Sequence, residues 1–317
     1  MKAEKKNNIL EIDLNSDGMR LDNFLLKMLK GLPKTKIYSM IRKGEVRINS
    51  KRAKPMARIK SNDLIRIPPH LISGKAREKK PSKYMDLDWI DEIILHEEKG
   101  FFVVNKPSGL AVHGGSGVSF GLIELLRKHR DKKYETLELV HRIDKETSGI
   151  ILIAKKRSIL RKLHQYFRDG LIKKKYQALL LGNPDKESFV IDHPIRIDRS
   201  NKHRKSIIDP DGLKAITKFK LVERMNHATL FEISPITGRT HQIRAHSGHI
   251  NMPIAGDIRY GIKNDFITKN YGLNRLFLHA SEISFPEFDR SNSSYRFKAD
   301  LSEELKTVLA NIKSSSG

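Results

Sequence analysis

Cysteine is absent from the 317 residues. Its absence removes disulfides, thiolate metal sites, iron–sulfur clusters and cysteine nucleophiles together, and makes a reducing cytoplasm the expected compartment. No apolar run approaches the ~20 residues that span a bilayer; the longest, such as 150–154 and 101–104, are strand-sized. The opening residues, MKAEKKNNILEID, lack the apolar stretch of an export signal. Proline (12) and glycine (20) are too few for a disordered or fibrous chain, and 38% apolar with 31% charged residues is the composition of a folded globular protein. At ~150 residues per domain the length predicts about two domains.

Acidic residues are also scarce. The 37 Asp and Glu face 61 Lys and Arg, leaving a net charge of +24, far beyond what solubility needs, so a polyanion is the expected partner. Residues 1–85 hold 22 basic and 8 acidic side chains, net +14, while the rest holds 39 and 29, net +10. A lysine-rich compositional bias would spread charge evenly; this clustering predicts a dedicated binding module.

Within residues 17–69 the pattern is compact. Leu21, Phe24, Leu25, Met28 and Leu29 follow the i, i+3, i+4, i+7, i+8 spacing of an amphipathic helix, with Asp17 as a cap and Gly31 as the stop. Pro33 opens a second helix with Ile37, Met40 and Ile41 on its buried face, Arg42 and Lys43 in its last turn and Gly44 beyond. Residues 46–49 and 64–67 read as short strands, separated by a basic turn through Lys51, Arg52 and Lys54. The polar faces are positive: Lys34, Lys36, Arg42, Lys43, Arg47, Lys51, Arg52, Lys54, Arg58 and Lys60. By charge alone this is a nucleic-acid surface or a solvated one.

The polar, aperiodic stretch 71–85 reads as an exposed linker. Beyond it, short β-like runs at 93–95, 101–105, 150–154, 176–181 and 228–233 alternate with helical stretches at 121–130 and 160–168. The irregular spacing excludes a doubly wound parallel sheet and predicts a mixed α/β layout. The expected organisation is a basic domain at 17–70, a linker at 71–85 and a larger domain at 86–317.

The most informative segment runs Leu139-Val-His-Arg-Ile-Asp-Lys-Glu-Thr-Ser-Gly-Ile-Ile-Leu-Ile-Ala-Lys155. A carboxylate, a guanidinium and two hydroxyls stand immediately before a buried strand, where a rigid element can aim a reactive loop. Asp144 is a candidate nucleophile or base, Arg142 a phosphate ligand or base displacer, and Thr147 and Ser148 loop orienters. The bland alternative is a capped turn with Asp144 satisfied by Thr147 or Ser148. Gly114-Gly-Ser-Gly117 lacks the Gly-Lys-Ser/Thr ending of a nucleotide loop, so no nucleotide cofactor is expected. His241, His246 and His249 fit neither H-E-x-x-H nor zinc-finger spacing, so no metal is expected either.

The phrase HRIDKETSG with its strand resembles the catalytic motif of the RNA pseudouridine synthases, in the branch that modifies large-subunit ribosomal RNA. Further matches follow in order. Asn105-Lys-Pro-Ser-Gly109 with Val112 and His113 resembles the first motif, Lys174-Lys-Tyr-Gln-Ala-Leu179 the tyrosine motif, and Thr237-Gly-Arg-Thr-His-Gln-Ile-Arg-Ala-His246 the basic motif. Pro253-Ile-Ala-Gly-Asp257, Tyr260-Gly261 and Leu278-His-Ala280 complete the set, and His113-Gly-Gly-Ser-Gly-Val-Ser-Phe-Gly-Leu-Ile-Glu124 resembles a phrase of large-subunit synthases. The order Arg20-Leu-Asp, two helices, Arg42-Lys-Gly-Glu-Val-Arg-Ile-Asn and a final strand resembles the small RNA-binding domain first recognised in a small-subunit ribosomal protein.

The resemblance implies an α+β protein, with that basic domain linked to a mixed, largely antiparallel-sheet catalytic domain. The reaction it implies detaches uracil from ribose, rotates it and rejoins it through ring carbon five, without redox chemistry, energy source, metal or cofactor. It places the essential carboxylate on Asp144, as covalent nucleophile or as base at the sugar, a choice left open. Tyr176 would stack on uracil; otherwise it is a core aromatic. Arg244 would pair with Asp144; otherwise it is one more phosphate contact. Arg142, His141, Thr147, Leu278 and Lys106 are assigned to substrate, with Arg42, Lys43, Arg47, Lys34 and Lys36 on RNA, and Leu278 could equally be plain core. The implied partner is 23S ribosomal RNA or a large-subunit assembly intermediate in a bacterial cytoplasm, modified at several uridines by a monomer. Two other classes fit the charge: a non-catalytic RNA-binding or assembly factor, and a metal-dependent nuclease.

Overall fold

The computed structural model describes residues 8–29, 32, 34–69, 87–114, 120–130, 137–198, 205–288 and 293–315. Two compact units divide the chain, Met1–Ser82 and Lys83–Gly317. The expected linker at 71–85, Gly31, Pro33 and most of the Gly114–Gly117 loop lie outside the described residues.

In the first unit β1 (Ile9–Glu11), α1 (Leu21–Met28), α2 (Lys34–Lys43), β2 (Arg47–Ile48), β3 (Lys51–Arg52) and β4 (Leu64–Arg66) follow one another. The strands form one antiparallel sheet in the order β1-β4-β2-β3. Leu21, Phe24 and Leu25 of α1 and Ile37, Met40 and Ile41 of α2 meet Val46, Ile59, Ile65 and Ile67 in one core, as helical spacing requires. Met28, at the last position of α1, is 49% exposed. Asp17 does not cap α1: Arg20 occupies that position, and Asp17 Oδ1 accepts the Ser61 amide at 2.8 Å. Lys51 and Arg52 belong to a strand, paired with β2, where a turn was expected.

Asp22 locks the two helices together. Arg20 donates to both its oxygens, from Nε at 3.1 Å and Nη2 at 2.6 Å, and the Asn23 amide and the Tyr38 hydroxyl of α2 add two more bonds. The Arg20 hydrogen bonds, with smaller help from Tyr38 and Asn23, outweigh burial and lower the Asp22 carboxyl from 3.8 to about 2. Lys34, Lys36, Arg42 and Lys43 remain exposed, while Arg47 is half-buried with its guanidinium on the Gly44 and Ser50 carbonyls at 3.3 and 3.2 Å.

The second unit continues with α3 (Trp89–Glu92), β5 (Ile94–Glu97), β6 (Phe101–Lys106), α4 (Leu122–Arg130), β7 (Glu138–Leu139), β8 (Ser148–Ala154), α5 (Arg157–Arg168), β9 (Lys173–Leu181) and β10 (Ser188–Asp192). Then come β11 (Ile195–Asp198), β12 (Lys205–Ile208), β13 (Ile216–Met225), β14 (Ala228–Pro235), α6 (Gln242–His249), α7 (Phe266–Asn270), β15 (Leu278–Pro286), β16 (Ser294–Lys298) and α8 (Glu303–Ser314). A mixed sheet runs β10-β13-β14-β9-β15-β8-β6-β5, with β16 on β15 and β7 on β8. Among the described strand pairs only β15–β8 is parallel; β11 and β12 form a separate antiparallel hairpin.

Every residue of β8 is buried because both faces of the sheet are covered there. Alternation sends Ile150 and Leu152, with Phe101 and Val103 of β6, against Leu163 of α5, and sends Ile151 and Ile153, with Phe102 and Val104, against Leu122, Leu125 and Leu126 of α4. This is why residues 150–154 are apolar without a gap. Gly149, at φ +107, lies so close to β15 that a Cβ would stand 2.3 Å from the Ala280 carbonyl oxygen. Only glycine fits that crossing. No described helix is long and apolar enough to cross a membrane.

The Asp22 bonds carry a pH dependence. A carboxylate whose pKa is lowered by folding stabilises the fold above its unfolded value and loses that contribution as pH falls through the folded value. Hydrogen-exchange protection of the α1 and α2 amides in the full chain should therefore decline from about pH 4 toward pH 2, and Asp22→Asn should lower protection at neutral pH and flatten that decline.

Candidate active site

The loop that precedes β8 is held from behind. The Thr147 amide donates to the Asp144 carbonyl at 3.2 Å, and the Gly109 amide and Ser108 hydroxyl donate to the carbonyls of Lys145 and Glu146 at 2.9 and 2.6 Å. Lys106 Nζ sits beneath, donating to Pro107, Leu110 and Lys145 carbonyls at 2.8, 2.8 and 3.1 Å. Burial draws the Lys106 ammonium down to about 7, Arg275 adding to the effect and Glu146 and Asp144 opposing it. Three carbonyl acceptors need all three ammonium protons, so the bonded form is the charged one. Lys106, expected at the substrate, instead has no exposed surface and ties the 107–110 turn to the Asp144 loop.

Ser148 anchors the far end. Its hydroxyl accepts from Arg275 Nη2 at 2.6 Å and lies 2.8 Å from His279 Nδ1. His279 Nε2 faces the Ala299 carbonyl at 3.1 Å and must donate to it, so Nδ1 takes the Ser148 proton. Neither Thr147 nor Ser148 is the side-chain cap of Asp144 that a simple turn would supply. His141, half-buried, accepts the Leu152 amide on Nε2 at 3.1 Å; burial, with Lys174 adding to it, lowers its pKa to about 3, so it is a neutral staple between loop and strand.

Asp144, Arg142, Thr147, Tyr176, Arg244 and Leu278, six residues picked out by sequence, line one cavity. The loop before β8 brings the first three, β9 brings Tyr176, β15 brings Leu278 and α6 brings Arg244. His141 and Lys106 do not line it, and Lys34, Lys36, Arg42, Lys43 and Arg47 belong to the first unit. Burial and the nearby Asp144 charge raise the Tyr176 phenol, which is therefore neutral, and burial lowers Lys174, a cavity residue not singled out from sequence.

Arg244 was expected to pair with Asp144, and its principal partner is another carboxylate. Nε and Nη2 donate to Asp257 at 2.7 and 2.8 Å, in a bidentate pair whose members are 3% and 1% exposed. The Arg259 and Tyr260 amides also donate to Asp257 Oδ1, at 2.9 and 3.1 Å. Burial alone would raise the Asp257 carboxyl, and the Arg244 bonds and charge with the two amides outweigh it and hold the group below its ordinary value. Burial likewise works against the Arg244 charge, but Asp257, Asp144 and Glu146 together raise its pKa. The remaining nitrogen, Nη1, points to Asp144 Oδ2 at 3.5 Å and Glu146 Oε2 at 3.7 Å.

The 237–246 segment is built around Gln242. Its amide nitrogen donates to Ile216 carbonyl and Thr217 Oγ1, both at 2.9 Å, and its oxygen accepts from Thr237 Oγ1 and the Arg239 amide at 2.7 and 3.0 Å. His246 lies 2.8 Å from Thr217 Oγ1 and 3.0 Å from the His193 carbonyl, as a buried structural histidine. Among the described residues no group of three or more His, Asp or Glu stands close enough to hold a metal ion. Sequence reasoning missed Asp257 as the partner of Arg244, and it weighed His241 only as a metal ligand or as a structural or RNA-contacting histidine, not as a neighbour of Asp144, whose Oδ1 stands 3.8 Å from its Nε2.

With this geometry in place, residues 100–249 match the family model described as RNA pseudouridylate synthase, and residues 19–65 match the S4 domain. "Ribosomal large subunit pseudouridine synthase C" of Haemophilus ducreyi (strain 35000HP / ATCC 700724) is 45% identical over 298 residues, covering 93% of this chain and 92% of its own. The protein of that name in Escherichia coli (strain K12) is 40% identical over 311 residues, covering 97% of each. Among solved structures, "Human RNA Pseudouridylate Synthase Domain Containing 4" superposes with a TM-score of 0.60 at 26% identity, over 72% of this chain and 95% of its own.

Proposed function

From the premise that this chain belongs to the RNA pseudouridylate synthase family, we propose that it isomerises uridine to pseudouridine at several positions in the 23S ribosomal RNA of the large subunit, with Asp144 as the essential group. The observation that carries the reading is the single cavity into which Asp144, Tyr176 and Arg244 converge from three separate elements. The ribosomal target is supported by full-length relatives whose names specify the large ribosomal subunit.

The reaction breaks the N1–C1′ bond, turns the uracil and forms C5–C1′, the ring losing its C5 proton and gaining one at N1. Asp144 supplies the carboxylate that acts at the sugar as the base departs. Tyr176, neutral in its buried setting, presents an aromatic face to the ring. Leu278 packs beside it. A target uridine must leave its stack first, at a cost of a few kcal/mol; exposed Arg142 at the cavity offers a planar cation to stack on bases and bind phosphate. The basic face of the first unit, with Lys34, Lys36, Arg42, Lys43 and Arg47, grips the RNA backbone. We place this activity in the cytoplasm, where ribosomal RNA is made, with a monomer acting on RNA or an assembly intermediate.

Carbodiimide mapping of unmodified large-subunit ribosomal RNA, incubated with the protein in chelator, should reveal new stops at several uridines. Asp144→Asn should slow their appearance by ~10³-fold or more while RNA binding persists. Wild-type protein that binds RNA yet creates no pseudouridine, in naked RNA or in assembly intermediates, would overturn the reading.

RNA affinity should fall steeply with salt, by about 0.7 to 0.9 log units per log unit of salt for each phosphate neutralised. Removing charge at Lys34, Lys36, Arg42 and Lys43 together should flatten that slope; an unchanged slope would exclude this face as the grip.

A further inference from the structure

Asp144 has a second neighbour that the Arg244 contact does not account for. His241 lines the same cavity, with Nε2 3.8 Å from Asp144 Oδ1, while Arg244 Nη1 faces the other oxygen at 3.5 Å. Its backbone is left-handed, at φ 50 and ψ 24, a region in which histidine, asparagine and aspartate are the non-glycine residues most often found. Behind the ring, Nδ1 stands 3.0 Å from the Tyr260 hydroxyl, which also lies 2.7 Å from the Ser206 amide of β12. An amide can only donate, so the Tyr260 oxygen accepts from Ser206 and its own hydrogen is free for Nδ1. The imidazole then carries its proton on Nε2, toward Asp144.

We propose that His241 is a positioning residue for Asp144: Tyr260 fixes its tautomer so that Nε2–H steadies Oδ1 while Arg244 Nη1 steadies Oδ2. Two donors, one for each oxygen, set the plane of the carboxylate more firmly than either alone. Several features support the assignment. Burial, with the Arg244 and Arg259 charges, disfavours the imidazolium against the opposing pull of Asp144 and Glu146, so the neutral donor is the stable form. Arg244 Nη1 is buried without a hydrogen bond, a donor that the Asp257 pair leaves over and that faces Asp144 Oδ2. Two cations also hold the Tyr260 ring, Lys205 Nζ at 4.9 Å and the Arg244 guanidinium at 5.3 Å from its centroid.

The inference rests on Asp144 acting in uridine isomerisation, and the test separates the two claims. His241→Asn keeps the left-handed backbone comfortable but reaches only as far as Nδ1; His241→Gln places an amide nitrogen near the Nε2 position. Single-turnover pseudouridine formation would be measured for both, for Tyr260→Phe, for Tyr260→Phe combined with His241→Asn and for wild type, beside RNA dissociation constants. His241→Asn should slow the bound reaction by about 10- to 100-fold with affinity unchanged, and His241→Gln should recover most of the rate. Tyr260→Phe should cause a smaller loss that adds nothing to His241→Asn. An active wild type with an equally fast His241→Asn, or a loss confined to affinity, or a folded His241→Gln as slow as His241→Asn, would overturn the positioning role and leave the isomerase reading standing. An inactive wild type would overturn the isomerase reading itself.

Discussion

The site depends on one buried ion pair. Arg244 and Asp257 are both almost wholly removed from water, an arrangement that costs several kcal/mol per charge unless each hydrogen-bonding position is answered. Here Asp257 receives four donors and Arg244 places two nitrogens on it, so the guanidinium plane has one orientation. The third nitrogen is thereby aimed at Asp144 without being bound to it. The pair also joins α6 to the 257–260 turn, which carries Tyr260 and so reaches the β12 end of the β11–β12 hairpin through Ser206. One ion pair thus sets the donor that faces the Asp144 carboxylate and the tyrosine beside it.

The opposite wall is made rigid by different means. β8 is sandwiched between α4 and α5, and its first residues cross β15 at a distance only Gly149 permits. A loop emerging from so constrained a strand has little freedom, and the remaining slack is taken up by Lys106 from below and the Arg275–Ser148–His279 chain behind. Asp144 therefore lies between two preorganised walls, one ionic and one packed, which is the arrangement catalysis needs when the reacting groups must be placed before substrate arrives.

Much of this was legible in the sequence. The helical spacing of Leu21, Phe24 and Leu25 and the continuous apolar run at 150–154 follow from burial patterns that sequence displays directly, whereas the largely antiparallel sheet was implied by the family resemblance. The cavity residues were legible because they travel in long motifs: Asp144, Tyr176, Arg244 and Leu278 each sit in a distinctive phrase. What escaped was pairing across the chain. Asp257 stands thirteen residues from Arg244, in a phrase noticed without a role, and nothing in its local pattern says that its carboxylate is buried against α6. Lys106 was assigned to substrate with its motif, and only the turn that gathers three carbonyls around its ammonium shows why it is buried instead. Asp17, a sound cap by residue type, is drawn away by the Ser61 amide, a contact 44 residues distant.

A double-mutant cycle most directly tests whether Asp257 acts on pseudouridine formation through Arg244. Arg244→Met, Asp257→Asn and the double variant would be compared in single-turnover pseudouridine formation and in thermal unfolding. Each single substitution leaves one member of a buried pair unanswered and should destabilise by about 3–5 kcal/mol, whereas the double variant removes both charges and should regain much of that stability. The double variant should be no slower than Arg244→Met and no faster, its recovered stability bringing back no rate. Losses that multiply across the two sites, or a rate that returns with stability, would contradict it.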